Sequence, residues 1–141
     1  MTSKDGSKGV VFIDGACRGN PGPSAIGVVF KDKKGEVLKS FSEKIGPATN
    51  NIAEYYALIF ALQQAIIMGI KQLEVFTDSE LLARQFNGEY RVREESLKLL
   101  HFLVKHLRQG FQKITVVHVP REQNKLADSQ ANKALNQELF L

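Results

Sequence analysis

The sequence predicts an α/β fold in which helices cover a five-stranded mixed sheet. Two observations lead to this fold class. Five short segments are rich in apolar, β-branched and aromatic residues, and four others place apolar residues at helical spacing. Their order along the chain is βββαβααβα, and strands that alternate with helices in this way are typical of a sheet packed against helices.

The first half of the chain contains three strands and a long helix. The strands are predicted at residues 10–13, 25–31 and 36–45. The charged turn DKKG before the third strand places Gly35 where a hairpin favours a positive φ, so consecutive strands run antiparallel. The helix at residues 52–68 is apolar around most of its circumference and ends at Gly69, as expected of a helix buried against a sheet.

The second half of the chain contains two strands and three helices. It contains a short apolar strand, a short helix, a longer amphipathic helix, a last strand and a last helix, predicted at residues 73–77, 79–86, 94–109, 113–119 and 123–139. Residues 1–8 are expected to form a disordered lead, and residues 9–141 a single domain, because a chain of 141 residues suffices for one core.

Composition narrows the classes of function. The chain is 43% hydrophobic but has no apolar run of the ~20 residues that a membrane span needs, so no membrane partner is expected. The N-terminal MTSKDGSKG lacks the apolar stretch of a signal peptide, so we expect a cytoplasmic protein. Cys17 is the only cysteine, which excludes an internal disulfide and a cysteine-rich zinc site. The net charge of +4 is compatible with a polyanionic partner.

Four acidic residues lie at the ends of predicted strands or within predicted helices. Asp14 and Asp78 each follow a buried strand, where an ionised carboxylate is costly unless a cation or several donors hold it. If the two strands are parallel neighbours, both carboxylates lie at one edge of the sheet. Glu54 begins the long helix, and Asp128 lies in the last helix. Several carboxylates at one place repel unless divalent cations neutralise them, and Mg²⁺ suits such an all-oxygen site.

Each acid alone also has a local explanation. Asn51 and Glu54 match an N-terminal capping arrangement of the long helix. Asp78 stands at a common N-cap position, and Asp128 suits the dipole of its helix. Asp14 can cap its own glycine-rich turn. Only the joint arrangement of the four acids favours a metal site over these structural roles.

Four motifs in the sequence resemble those of the type 1 ribonuclease H family. They are DGACRGNPGP, TNNIAEYYAL, FTDSELL and HVPREQNKLADSQAN, which occur in the family's order and cover roughly residues 10–135. The resemblance implies a five-stranded mixed sheet, three antiparallel strands then two parallel, with helices on both faces. It also implies a catalytic set of four acids, Asp14, Glu54, Asp78 and Asp128. The chain looks like a compact member without the basic protrusion or the hybrid-binding domain.

The resemblance also implies the reaction. In this family two Mg²⁺ ions bind the four acids and the scissile phosphate; one activates the attacking water and the other stabilises the leaving 3′ oxygen. Mn²⁺ is an alternative metal. The implied substrate is the RNA strand of an RNA–DNA hybrid, cleaved to leave 5′-phosphate and 3′-hydroxyl ends. We expect the protein to be a monomer. Two alternatives stay open: a same-fold nuclease that prefers double-stranded RNA or RNA–DNA junctions, and a non-catalytic nucleic-acid-binding module.

Residues near these motifs are candidates for contacts to the RNA strand. Recognition of a 2′-hydroxyl needs donors and acceptors at close range, which amides and exposed backbone provide. The substrate-binding candidates are Gly15, Cys17, Gly19, Asn20, Asn50, Asn51 and Arg121. The alternative role of the asparagines is turn and helix-cap chemistry.

One histidine is a further catalytic candidate. His118 precedes Asp128 by ten residues, the interval at which the family's mobile histidine stands, so the resemblance implies a role in proton transfer or product release. Its alternative role is that of a packed residue at a strand end. Arg121 competes with it, because some relatives with a PRE-N motif use an arginine in that loop. Glu80 departs from the glutamine that contacts RNA in many relatives, and a carboxylate there would repel phosphate.

Overall fold

The computed structural model describes residues 7–138. Within this range the five strands are β1 (Ser7–Cys17), β2 (Gly22–Lys31), β3 (Val37–Ala48), β4 (Ile70–Thr77) and β5 (Lys113–His118). The four helices are α1 (Asn50–Ile67), α2 (Glu80–Phe86), α3 (Glu95–Arg108) and α4 (Lys125–Glu138), and a turn of 3₁₀ helix spans Arg121–Gln123. The predicted order βββαβααβα is confirmed.

The ends of the chain depart from the predicted boundaries. Ser7 and Lys8 already belong to β1, so the strand begins inside the segment that was expected to be disordered. The rest of that expected lead, residues 1–6, lies outside the described residues, as does residue 139 at the predicted end of the last helix.

The strands form one mixed sheet in the order β3-β2-β1-β4-β5. β1, β2 and β3 pair antiparallel, whereas β4 runs parallel to both β1 and β5. The predicted fold class is therefore confirmed. Because β1 and β4 are parallel neighbours at the centre, their carboxyl ends meet at the same edge of the sheet.

The helices cover the two faces of the sheet unequally. α1 packs on β1 and β2, and α3 packs on α1, so that this face holds most of the buried apolar side chains. α4 packs on β2, β1 and β3 from the other face. No helix in residues 7–138 combines the length and hydropathy that crossing a bilayer requires.

β1 continues beyond the point at which the sequence predicts a loop. Its pairing with β4 ends at Ile13 and Thr77, but its pairing with β2 runs on from Asp14 and Gly27 to Cys17 and Ser24. Asp14 therefore lies inside a strand and not in a turn. The glycine-rich segment stays extended through Cys17 because β2 supplies its hydrogen bonds.

The local explanations for two of the acids are wrong. α1 is capped by Thr49, whose hydroxyl oxygen accepts a hydrogen bond from the Ile52 amide at 3.2 Å. The helix thus begins before Asn51, which lies within its first turn and cannot form the expected cap with Glu54. α2 is capped by Ser79 and not by Asp78. Glu54 and Asp78 therefore do not have the capping roles that the sequence suggested.

Candidate active site

Acidic side chains from three elements meet at the carboxyl edge of β1 and β4. Asp14 lies on β1, Glu54 on α1 and Asp78 directly after β4, and one carboxylate oxygen of each lies within 4.8 Å of the others. The carboxyl of Asp128, on α4, is close enough to hydrogen bond to Asp14. The structure thus brings together all four acids that the sequence indicated.

Two glycines let the helices approach the central strands closely enough to bring these acids together. A Cβ on Gly15 would lie 2.6 Å from the carbonyl carbon of Ala53 and 2.7 Å from the amide of Glu54, so only glycine admits α1 here. A Cβ on Gly27 would collide with the carbonyl oxygen of Ala127 in α4. The two contacts set the distance of Glu54 and of Asp128 from Asp14, which lies on the strand between them.

Burial makes ionisation of these carboxyls unfavourable. Asp14 is only 5% exposed. Its burial, together with the charges of Asp78 and Asp128, raises its pKa to about 8, against a smaller opposing effect of Arg121. Burial and the charges of Asp14 and Asp78 raise the pKa of Glu54 well above its ordinary value, although the Gly15 amide donates a hydrogen bond to it.

The same carboxyls fit a divalent cation. Within the described part of the chain, the buried Oε1 of Glu54 has no hydrogen-bond donor. A buried carboxylate oxygen without a donor is costly, and a bound cation would remove that cost for the whole cluster. Three oxygen ligands within reach of one another are what a hard divalent ion prefers. The acidic cluster can therefore hold a divalent metal.

The cluster makes the stability of the metal-free protein depend on pH. The pKa of Asp14 is near 3.8 when unperturbed and about 8 in the fold, so between these values the folded state binds more protons than the unfolded one. The free energy of unfolding should therefore fall as the pH rises from about 4 to about 8. Urea unfolding with a chelator at pH 5 and pH 8 measures this fall. A fall of equal size in Asp14→Asn would contradict the assignment to Asp14.

Several other predicted residues line the cleft around the acids. The cleft has a volume of about 430 Å³, and its walls include Gly15, Ala16, Cys17, Asn50, Arg121 and Asn132 besides the acids. Arg121 is the cation of this group, and it lies in the 3₁₀ turn before α4. The Sγ of Cys17 lies 2.8 Å from the hydroxyl oxygen of Ser24, so this thiol is held by the sheet.

The other predicted residues lie outside the cleft lining. Gly19 has a positive φ of 87°, and the Oδ1 of Asn20 accepts a hydrogen bond from the Asn50 amide at 2.9 Å. Asn51 donates to Oε1 of Glu94 at 3.2 Å, which ties the starts of α1 and α3 together. These contacts stabilise turns and helix starts, the alternative role that the sequence left open.

His118 is also outside the cleft lining. It is exposed at the end of β5, paired in register with Thr77. The pKa of the Glu80 carboxyl is lowered by its hydrogen bond and ion pair with Arg84, and His118 adds a smaller effect. The charge of Glu80 is thus partly compensated by Arg84, which weakens the repulsion of phosphate expected from the sequence.

Two asparagines that support the acids were missed by sequence reasoning. Asn124 is 1% exposed and donates from Nδ2 to the Ile13 carbonyl at 2.8 Å and to Oδ2 of Asp78 at 3.4 Å. Asn132 donates to the backbone oxygen and to Oδ1 of Asp128, at 2.9 and 3.2 Å. The one available signal was the position of each amide four residues from Asp128.

Comparisons with known proteins agree with this geometry. A family model described as Reverse transcriptase-like matches residues 12–134. Ribonuclease HI of Halobacterium salinarum is 40% identical over 125 residues, which is 89% of this chain. The crystal structure of RNase H1 from this archaeon is 38% identical, has a TM-score of 0.90, and is matched over 93% of this chain and 99% of the solved one. The chain belongs to the type 1 ribonuclease H family.

Two further ribonuclease H structures are similar over almost their whole length. LC11-RNase H1, isolated from compost and solved in complex with an RNA/DNA hybrid, is 41% identical, with a TM-score of 0.89 over 93% of this chain and 99% of that one. The N-terminal RNase H domain of a Mycobacterium tuberculosis protein is 38% identical, with a TM-score of 0.86 over 90% of this chain and 98% of that one. The chain spans 63% of the curated Halobacterium salinarum relative and 36% of the bifunctional Mycobacterium tuberculosis protein.

Proposed function

We propose that this protein is an endoribonuclease that hydrolyses the RNA strand of RNA–DNA hybrids. The observation that carries the proposal is the convergence of Asp14, Glu54 and Asp78 on one point, with Asp128 beside Asp14. It is supported by the likeness to LC11-RNase H1, whose solved structure contains an RNA/DNA hybrid. The products would carry 5′-phosphate and 3′-hydroxyl ends. We expect the protein to act as a monomer in the cytoplasm.

The four acids would hold two divalent ions. Mg²⁺ is the expected metal, and Mn²⁺ a substitute, because the four acids offer only oxygen ligands. When bound, these ions supply Lewis-acid stabilisation of the phosphate and an activated water. The unpartnered Oε1 of Glu54 and the raised pKa of Asp14 support this assignment. A cation would give that oxygen a partner and would stabilise the ionised form of Asp14.

The chain's own residues would position the RNA strand around that centre. Arg121 is the cationic side chain in the cleft lining and is suited to a phosphate oxygen. Asn50 presents an exposed amide, and the backbone at Gly15 and Ala16 faces the cleft without a bulky side chain. Amide and backbone groups of this kind suit the 2′-hydroxyl, which both donates and accepts hydrogen bonds.

A basic groove outside the acidic cleft supports binding of a duplex. A groove of about 540 Å³ between α2 and α3 is lined by Arg91, Lys98, Lys105 and Arg108 among others. It is connected to the start of α1 by the contact of Asn51 with Glu94, which precedes α3. Phosphates of the DNA strand would be held by such side chains largely independently of sequence.

Substrate preference can be tested with one labelled RNA in four settings. The same RNA is paired with DNA, paired with RNA, left single-stranded, or reduced to one ribonucleotide within duplex DNA. With Mg²⁺ we expect cleavage of the hybrid to be fastest, and the product ends to be 5′-phosphate and 3′-hydroxyl. Faster cleavage of the RNA duplex or of the junction would favour the alternative substrates, and binding without cleavage would favour a non-catalytic module.

Arg121 and His118 should differ in their importance. We expect Arg121→Ala to raise KM for the hybrid by about tenfold to a hundredfold, because one charge-assisted contact to phosphate contributes roughly 1.5–3 kcal/mol. His118→Ala should lower kcat by less than this factor, because His118 lies outside the cleft lining. Steady-state kinetics of both variants on the same hybrid measures the difference. A larger loss in His118→Ala would restore the histidine as the main proton-transfer group.

A further inference from the structure

The face of the sheet that α4 packs on is covered only in part. α4 lies across β2, β1 and β3, and no helix packs on β4 or β5 from this side in the described part of the chain. Three rows of side chains on this side are therefore not covered by a helix, and we call them the open sheet face. One row contains Phe12, Phe76 and Val117, the next contains Lys31, Val10, Glu74 and Thr115, and the last contains Lys8, Gln72 and Lys113.

The first of these rows is aromatic. The rings of Phe12 and Phe76 stack with centroids 4.9 Å apart and an interplanar angle of 21°. Nζ of Lys31 lies 4.3 Å from the centroid of Phe12, and Val117 is 36% exposed at the end of the row. Both phenylalanines remain half-buried, so the sheet presents an apolar strip bounded by a cation.

The other two rows form a basic groove. Its volume is about 560 Å³, and four lysines line it, Lys8, Lys31, Lys33 and Lys113. Of the two acids in its lining, Asp32 is used by the hairpin turn, because Oδ1 accepts hydrogen bonds from the amides of Lys34 and Glu36. Among residues 7–138 the ion pairs are those of Arg84 and Lys98 with neighbouring glutamates, so none involves a lysine of the groove.

We infer that the open sheet face binds single-stranded nucleic acid. The groove lysines, which form no ion pair among residues 7–138, supply the charge that a phosphate backbone requires, and the exposed ring edges of the aromatic strip supply apolar surface against which unpaired bases can lie. A duplex would offer no free base to that strip. A peptide of acidic residues would satisfy the lysines but leave the aromatic row unused.

The position of this face connects it with the proposed cleavage site. Asp14 and Asp78 follow Phe12 and Phe76 by two residues, so the acids project from the same face as the aromatic row. Successive rows along the strands are about 6.7 Å apart, so the three rows of the open sheet face accommodate roughly three nucleotides. They would hold a single-stranded tail that flanks a hybrid. The role in holding a tail beside a hybrid rests on the proposed function, but the binding of single-stranded nucleic acid does not.

Binding can be measured without any cleavage. A fluorescent twelve-nucleotide DNA and the corresponding RNA are titrated in chelator with the wild type, with Lys8→Glu/Lys31→Glu, and with Lys39→Glu/Lys71→Glu. The control pair changes the net charge by the same amount. Lys39 lies over the Phe41 ring, and neither Lys39 nor Lys71 lines the groove. We expect Kd to rise on the order of tenfold in the first variant only, with its salt slope reduced by about 1.4. Equal affinities in the two variants would overturn the inference.

A reporter on the aromatic row gives an independent readout. The chain has no tryptophan, so Phe76→Trp introduces a single indole into that row. Single-stranded oligonucleotide should quench its emission, and Lys8→Glu/Lys31→Glu in the same background should weaken the quenching. Unchanged emission at saturating oligonucleotide would place the strand elsewhere. Cleavage of a blunt hybrid by Lys8→Glu/Lys31→Glu should match that of the control pair, so a failure of the proposed function is distinguishable from a failure of this surface.

Discussion

Replacement of Asp14 by asparagine is expected to reduce cleavage of the hybrid by about 10³-fold or more while leaving the fold intact. Asp14 lies between Glu54, Asp78 and Asp128, so it is the carboxylate best placed to contact both of the proposed ions. A loss of this size corresponds to about 4 kcal/mol in the activation free energy. Single-turnover cleavage of a labelled hybrid at saturating Mg²⁺ measures the effect.

The fold of this variant should be at least as stable as the wild type in chelator at pH 8. The pKa of Asp14 is raised to about 8 by burial and by Asp78, so an uncharged amide avoids the cost of ionising the carboxyl. Thermal unfolding by circular dichroism compares the two proteins. Glu36→Gln, which removes an exposed carboxylate from the hairpin, is the control and should cleave normally. Full activity of Asp14→Asn would refute the proposed catalytic centre.

Removal of divalent metal is expected to have a comparable effect on the wild type. With excess chelator, cleavage should stop, and addition of Mg²⁺ should restore it, because the acids alone supply no Lewis acid or activated water. Metal binding should also raise Tm, since ligand that binds only the folded state stabilises it. The rise should be larger at pH 8 than at pH 6, because the ions compete with protons on Asp14 and Glu54.

The matched comparison is the rise of Tm with Mg²⁺ in Asp14→Asn, which should be much smaller than in the wild type. Calorimetric titration at the two pH values should show tighter binding at pH 8. Cleavage that persists in excess chelator, in protein freed of contaminating nucleases, would contradict a metal-dependent site. A rise in Tm that is the same in the variant would place the bound metal elsewhere.

The order of elements and the main acids could be predicted because both depend on local patterns. Short runs of apolar, β-branched and aromatic residues predict the strands, and each of Asp14 and Asp78 follows a run that is apolar enough to be recognised. Helix starts were less predictable. Asn51 and Thr49 are both good caps, and the choice of Thr49 depends on where β3 ends, which is set by its pairing with β2 through Ala48.

Residues that act through tertiary contacts could not be predicted. Asn124 contacts Asp78 and Ile13, where β1 separates from β4, only because the chain brings together residues far apart in sequence. The extension of β1 through Cys17 has the same origin, since it requires the edge of β2 as a partner. The open sheet face depends on which strands α4 leaves uncovered, which no local pattern specifies.

Two glycines, Gly15 in β1 and Gly27 in β2, limit the substitutions that the proposed active site tolerates. Exchange of a flexible glycine for alanine often stabilises a protein by about 0.4–1 kcal/mol, through the unfolded chain. At Gly15 and Gly27 a methyl group would instead push α1 or α4 outward, and with them Glu54 or Asp128. Attempts to raise heat tolerance by removing glycines should therefore leave these two positions unchanged. Their mutational tolerance is set by the spacing of the acidic side chains and not by backbone freedom.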